Sequence, residues 1–161
     1  MDKRVTLRDF QDEDRTLMVH WLRQEHVQQW LLHPENWLLE IDQRHDQFKW
    51  LHHYIVMLNG KAIGFCQYYD CFSAKELEEW LNVEEEGKTY SLDYLIGNTN
   101  YLGKSYGKEI VQQLVEKIRQ QESTAQEIIV DPEQENFPSQ KVLLANEFHY
   151  ISEKGYYQKI L

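Results

Sequence analysis

Residues 92–108 constrain this chain most. Leu92-Asp93-Tyr94-Leu95-Ile96-Gly97 reads as a buried strand, and Leu102-Gly103-Lys104-Ser105-Tyr106-Gly107-Lys108 follows as a glycine-punctuated loop that opens a helix. Such a loop gathers backbone N–H groups at a helix N-terminus, where unpaired donors and the helix dipole both favour an anion. The segment therefore predicts a site for a phosphate-bearing ligand, with the Asp93 carboxylate one strand-length away. The competing reading is a loop that binds nothing, because glycines often precede helices. Beyond it, Ile110, Val111, Leu114, Val115 and Ile118 share one face of an amphipathic helix.

The remaining elements follow from pattern and punctuation. Residues 12–22 predict a helix with Leu17, Met18, Trp21 and Leu22 inward and acidic residues at its start. A short helix around Val27, Trp30 and Leu31 is expected to break at His33-Pro34-Glu35-Asn36, and residues 42–52 read as helical with Phe48 and Leu51 inward. Tyr54–Leu58, Asn59-Gly60 and Ala62–Tyr69 spell a β-hairpin, since Asn-Gly supplies the positive φ angles of a type I′ turn. Tyr90–Ile96 and Glu127–Val130 read as strands, the latter stopped by Asp131-Pro132. Asn136 caps a helix with Pro138 in its first turn, and Phe148–Ser152 with Tyr156–Ile160 forms a closing hairpin. This order predicts an α/β fold in one domain over residues 1–161, with helices on both faces of a sheet that is mixed because of its hairpins.

Charge and composition narrow the partners. Seventeen basic against twenty-seven acidic residues give a net charge of −10, which argues against nucleic acid or an anionic membrane and suits a cationic substrate. Residues 73–87, with Glu76, Glu78, Glu79, Glu84, Glu85 and Glu86, read either as a solvated surface or as a negative wall beside such a substrate. The longest apolar stretch, around Tyr54–Leu58, is far too short to span a bilayer, and Met1–Arg4 leads into Val5 without a signal-peptide core. Cys66 and Cys71 suggest reduced thiols in a cytoplasmic protein. His33, His45, His52 and His53 lack metal-ligand spacing and read as packing or surface residues, so no metal is expected.

Taken in order, His20-Trp21-Leu22, Val27–Trp30, Tyr54–Tyr68, Ser91-Leu92-Asp93, Leu102–Gly107 and Val130-Asp131-Pro132 with Asn136 and Ser139 resemble the GNAT N-acetyltransferases. Within that superfamily the chain is most similar to the aminoglycoside 6′-N-acetyltransferase branch. The resemblance implies a mixed, splayed central sheet holding acetyl-CoA as co-substrate. It implies that the backbone of Leu95, Ile96 and Gly97 pairs with the pantetheine arm and that Gly103, Lys104, Ser105, Tyr106, Gly107 and Lys108 hold the pyrophosphate. Asn136 and Ser139 approach the pantetheine from the next helix, although Asn136 is equally explained as a helix cap. By the same resemblance Asp93 is the base or amine-positioning carboxylate, and the Leu95 N–H is the donor to the developing oxyanion. Trp30 and Trp80 then lie in substrate-facing segments beside Asp93, with core packing as the alternative for both, and Asp131 reads as a strand-ending turn residue with a lesser claim to touch substrate.

Two departures accompany the resemblance. Ser105 stands where the pyrophosphate loop usually has glycine, and Leu143 where many relatives carry a tyrosine that protonates the departing thiolate; either the thiolate leaves unassisted, or Tyr106 or Tyr150 supplies that hydroxyl, or catalysis is weak. Glu147-Phe148 likewise replaces a Gly-Phe pair. The implied function is acetyl transfer to a primary amine of a cationic small molecule, by a monomer or homodimer. Acetylation of a protein N-terminus or a polyamine, or acyl-CoA sensing without turnover, are the alternatives.

Overall fold

The computed structural model describes residues 5–161 apart from 76, 79 and 81. Among these residues seven strands form one sheet: β1 (Thr6–Asp9), β2 (Leu51–Leu58), β3 (Lys61–Asp70), β4 (Thr89–Ile96), β5 (Glu127–Val130), β6 (His149–Ile151) and β7 (Tyr156–Ile160). Their spatial order is β1-β2-β3-β4-β5-β7-β6, and every neighbouring pair is antiparallel except β4 with β5. The mixed sheet is thus as the hairpins predict. The Asn59-Gly60 turn takes φ angles of 53° and 78°, the left-handed pair that a type I′ turn requires. Between Val56 and Met57 the β2–β3 ladder shifts register by one, leaving Ile63 as the extra residue of a bulge.

Helices cover both faces. On one lies α5 (Tyr106–Gln121), whose Ile110, Val111, Leu114 and Ile118 are fully buried against Tyr54, Val56, Tyr68, Leu92 and Ile128. Beside it runs α6 (Phe137–Ala145), started by Asn136, whose Oδ1 accepts the Ser139 N–H at 3.2 Å. The other face carries α1 (Arg15–Leu22), α2 (Glu25–Gln28) and α3 (Pro34–Asp42), which bury Met18, Trp21, Leu22 and Ile41 on Ile55, Phe65 and Leu95. Trp21 fixes the end of β4: a Cβ on Gly97 would lie 2.1 Å from its ring, so only glycine fits there. A short α4 (Cys71–Ala74) precedes the acidic loop. Asp70 latches that loop at both ends, accepting from Phe72 N–H at 3.0 Å and Gly87 N–H at 2.8 Å. No helix among the described residues is long and apolar enough to cross a membrane.

Two local expectations fail. His33-Pro34 does not simply break a helix; Pro34 begins α3, because proline's missing N–H is harmless in a first turn. Residues 42–52 are not a helix. Turns follow Asp42, and Leu51 already starts β2, where His52 and His53 pair with Tyr68 and Gln67. Ladder pairing outweighs a helical period that Phe48 and Leu51 mimic, although both are buried as expected.

Ser105 and Glu147, at the two positions where the resemblance calls for glycine, have φ angles of 66° and 67°. The backbone thus keeps the left-handed turn that glycine would adopt freely, at a strain of about 1 kcal/mol each. Ser105→Gly and Glu147→Gly are each expected to raise stability by about 0.5–1 kcal/mol in urea denaturation, net of the added freedom of the unfolded chain.

Candidate functional site

Among the described residues the sheet has one parallel junction, β4 with β5, and the candidate site lies there. β4 and β5 pair at Thr89 with Glu127 and Tyr90 with Ile128, and no further. Beyond Tyr90 the two strands separate, so the β5-facing edge of β4 opens into a cleft. Antiparallel alternation identifies the backbone groups on that edge. Gly97 donates its N–H to Ile63 O at 2.9 Å, on the β3 side, and Lys88 O accepts from Gln126 N–H at 2.8 Å, on the β5 side. Odd-numbered residues of β4 therefore bond to β3, and Tyr94 and Ile96 aim their backbone groups at the cleft. His26 Nε2 lies 2.7 Å from Ile96 O, consistent with that direction.

This alters two expectations. Gly97 N–H is already taken by Ile63, and the backbone of Leu95 faces its ladder partner Phe65. Leu95 instead contributes its side chain to the core under α1–α3. A one-residue register decides this, and the sequence alone did not reveal it.

At the outer end of the cleft lies the loop before α5. Gly103 and Ser105 both have positive φ, at 71° and 66°, which turns the chain sharply between Leu102 and Tyr106. Tyr106, Gly107 and Lys108 form the first turn of α5, whose leading N–H groups have no intrahelical acceptor. Gly107 is close-packed: its Cα faces Val142 of α6 and the ring of Tyr94. The Tyr94 hydroxyl faces Ser139 of α6 at the same end. Leu143 is fully buried in the α5 core, Tyr106 packs edge-on against Tyr101, and Tyr150 is 55% exposed on the outermost strand, away from the cleft. Tyr150 is thus removed as a source of a proton for a leaving group.

At the inner end, Asp93 points to the face opposite α5, half-buried. Its oxygen Oδ2 accepts from Gln67 Nε2 at 2.9 Å, across the β3–β4 rung. Burial pushes its carboxyl up from the ordinary aspartate range, and the Gln67 hydrogen bond opposes that. Two further carboxylates converge on it. Glu40 of α3 is pushed up to about 7, by burial first and then by Glu78 and Asp93. Glu78, exposed along much of its length, is raised by the burial of its carboxyl end and then by Asp93. Tyr69 is held protonated by burial and by Asp93 and Glu78, and its hydroxyl accepts the Trp80 indole N–H at 3.2 Å. Trp80 leans edge-on against Tyr156.

Several expected residues come together here and others stand apart. Trp80 and Asp93 share the recess through Tyr69. Asp131 follows β5; continuing the Tyr90–Ile128 register three residues along both arms sets it level with Asp93 across the cleft. Its carboxyl is raised by partial burial and by Glu133. Trp30 sits half-buried in the turn after α2. Glu84, Glu85 and Glu86 are exposed, as a solvated acidic loop would be, while Glu76 and Glu79 lie outside the described residues. Glu40, Tyr69 and Gln67 escaped the sequence reading, and His53 reads there as packing or surface, because only strand register and the packing of α3 bring these residues to the neighbourhood of Asp93.

A sequence profile of the acetyltransferase (GNAT) domain matches residues 11–154. Aminoglycoside N(6′)-acetyltransferase type 1 proteins of Klebsiella pneumoniae and Serratia marcescens are each 29% identical over 118 residues, covering 70% of this chain. The match spans only 58% of the length of those relatives. Among solved structures, aminoglycoside acetyltransferase AAC(6′)-Ib in complex with coenzyme A superposes with a TM-score of 0.81 at 24% identity, covering 97% of this chain and 94% of that one. An aminoglycoside N(6′)-acetyltransferase from Legionella pneumophila gives a TM-score of 0.71 at 18% identity, over 100% of this chain and 93% of that one. The parted strands, the loop at the helix N-terminus and a profile match over most of the sequence lead to one conclusion: the chain belongs to the GNAT acetyltransferase family.

Proposed function

We propose that the chain is an acetyl-CoA-dependent N-acetyltransferase acting on a primary amine of a cationic small molecule, an aminoglycoside acetylated at its 6′-amine. The observation that carries this reading is Asp93 at the inner end of the β4–β5 cleft, inside a recess shared with Glu40 and Glu78. The relatives named aminoglycoside N(6′)-acetyltransferases support the substrate class, as does a solved structure of AAC(6′)-Ib with coenzyme A and kanamycin.

The chain's own residues fit acetyl-CoA. The open β4 edge offers the backbone of Tyr94 and Ile96 to the pantetheine amides, as an added strand would use them. The N–H groups from Gly103 to Lys108 suit the pyrophosphate at the start of α5. Asn136 and Ser139 flank the same channel from α6, with the Asn136 carbonyl occupied in capping that helix. Bound there, acetyl-CoA supplies an activated acetyl thioester. With Leu95 turned to β3, the backbone N–H of Tyr94 or Ile96 becomes the donor to the developing oxyanion.

An ammonium cannot attack a thioester, so Asp93 accepts its proton, directly or through water. Glu40, Glu78 and, across the cleft, Asp131 draw further ammonium groups of a polycation, and Trp80 and Trp30 offer apolar walls. Thiols are far more acidic than alcohols, so the thiolate departs without a tyrosine at Leu143. The buried free thiols of Cys66 and Cys71 suit the reducing cytoplasm, where acetyl-CoA is available. The net charge of −10 disfavours nucleic acid and anionic membranes as partners.

Asp93→Asn is expected to lower kcat/KM for kanamycin at least about 100-fold while leaving the acetyl-CoA KM within about twofold. A coenzyme A-release assay checks this, and unchanged turnover in the variant contradicts the assignment.

Glu40 gives a pH signature. With its carboxyl pushed up to about 7, it gains charge as pH rises through neutrality, so amine KM is expected to fall from pH 6 to pH 8. The same shift opposes folding: a carboxyl raised in the folded state supports stability below its unfolded value, and that support is lost as pH rises through about 7. Glu40→Gln should therefore raise Tm at pH 8 but not at pH 5, and flatten the dependence of KM on pH.

A further inference from the structure

Behind Asp93 lies a polar row that the proposed chemistry has not used. His53, Gln67 and Asp93 occupy consecutive positions across β2, β3 and β4, each the ladder partner of the next. Gln67 is 3% exposed and His53 7%. Gln67 spends its Nε2 on Asp93 Oδ2, while Gln67 Oε1 and both ring nitrogens of His53 are buried without a hydrogen-bond partner among the described residues. Unpartnered buried polar atoms are rare, and each costs about 1–3 kcal/mol. Phenylalanine and leucine would fill these positions more stably, so three such atoms in one row leading to one carboxylate call for a role.

We propose that His53 and Gln67 form a positioning array for Asp93, in which the His53 imidazole holds the Gln67 amide so that its N–H, not its carbonyl, faces the carboxylate. The inference rests on Asp93 being the group that takes the ammonium proton.

The chemistry is complementary at each junction. A neutral imidazole carries one N–H donor and one acceptor, and its donor matches the free Oε1 of Gln67 after a small ring rotation or through one water. With Oε1 engaged, the amide presents only N–H to Asp93, which favours the ionised carboxylate that accepts a proton. A flipped amide would set oxygen against oxygen and favour the protonated, idle form. His53 is kept neutral by its surroundings: burial comes first, then Arg44 from the turn after α3 and the adjacent His52, while Gln67 alone opposes them. Phe10 and Phe65 flank the ring and offer no competing acceptor. Around Asp93, Glu40 from α3, Glu78 from the acidic loop, Tyr69 from β3 and Cys71 from α4 complete the titratable neighbours, each raised first by burial and further by Asp93, while burial is what disfavours ionisation of Asp93 itself. Gln67 is the one neighbour that opposes that burial.

The test is the acid limb of the kcat/KM pH profile. Gln67→Leu removes the donor and should move the limb upward by about one pH unit, a tenfold loss of rate at acid pH that closes at alkaline pH. His53→Phe should move it in the same direction by less, and His53→Asn, which retains a donor, should restore part of the shift. The acetyl-CoA KM should remain within about twofold throughout. A uniform loss of rate in both variants, with the limb unmoved, would assign the row a structural role and overturn the proposal. Carbon-13 NMR titration of the Asp93 carboxyl, assigned with Asp93→Asn, reads the same midpoint without turnover, so absence of any active amine would sink the enzymatic reading while leaving the array testable. Should a His53 variant not fold, nitrogen-15 spectra of the wild-type ring decide. One slowly exchanging ring N–H at pH 7 supports the array, and rapid exchange at both nitrogens overturns it.

Discussion

Everything at this site depends on how little of β4 and β5 is paired. Two rungs join these parallel strands, and beyond Tyr90 they part. An unpaired strand edge inside a domain is normally covered or blunted, because it invites another chain. Here it persists beside a core in which α5, β3 and β4 bury Ile110, Leu114, Tyr68 and Leu92 almost completely. That packing holds the two arms apart without needing ladder bonds between them. The opening is thereby fixed in shape before any ligand arrives, which lowers the entropic cost of ordering a long flexible cofactor.

The two ends of the cleft have opposite electrostatic characters, both built from common parts. The outer end gathers N–H groups at the start of a sixteen-residue helix and suits an anion. The inner end gathers Glu40, Glu78 and Asp93 and suits a cation. Burial raises Glu40 and Glu78, the like-charged Asp93 adds to it, and Glu40 is left close to neutral pH. Such a recess costs the protein stability, as acidic groups gathered in partial burial do. The Asp70 latch on the acidic loop keeps Trp80 and Glu78 at that recess.

Much of this was legible from residue pattern. The Asn59-Gly60 turn, the α5 face, β5 to the residue and the Asn136 cap all came from local chemistry that tertiary context did not override. What escaped depends on register and long-range packing. Counting outward from the hairpin turn pairs His53 with Cys66; the bulge at Ile63 moves it opposite Gln67 instead. The same one-residue logic turns the backbone of Leu95 to β3 and that of Tyr94 to the cleft. Glu40 comes from α3, more than fifty residues before Asp93, and no spacing rule joins them. The helical period around Phe48 misled because a buried strand and its approach can carry the same apolar positions.

The parted edge of β4 and the loop before α5 together form the proposed acetyl-CoA site. Amide hydrogen exchange with and without acetyl-CoA tests it most directly. New protection is expected at Tyr94 and Ile96 and across residues 103–108, with the β6–β7 hairpin unchanged. Saturating acetyl-CoA that leaves those amides exchanging as in the free protein, or protects a different surface, would contradict it.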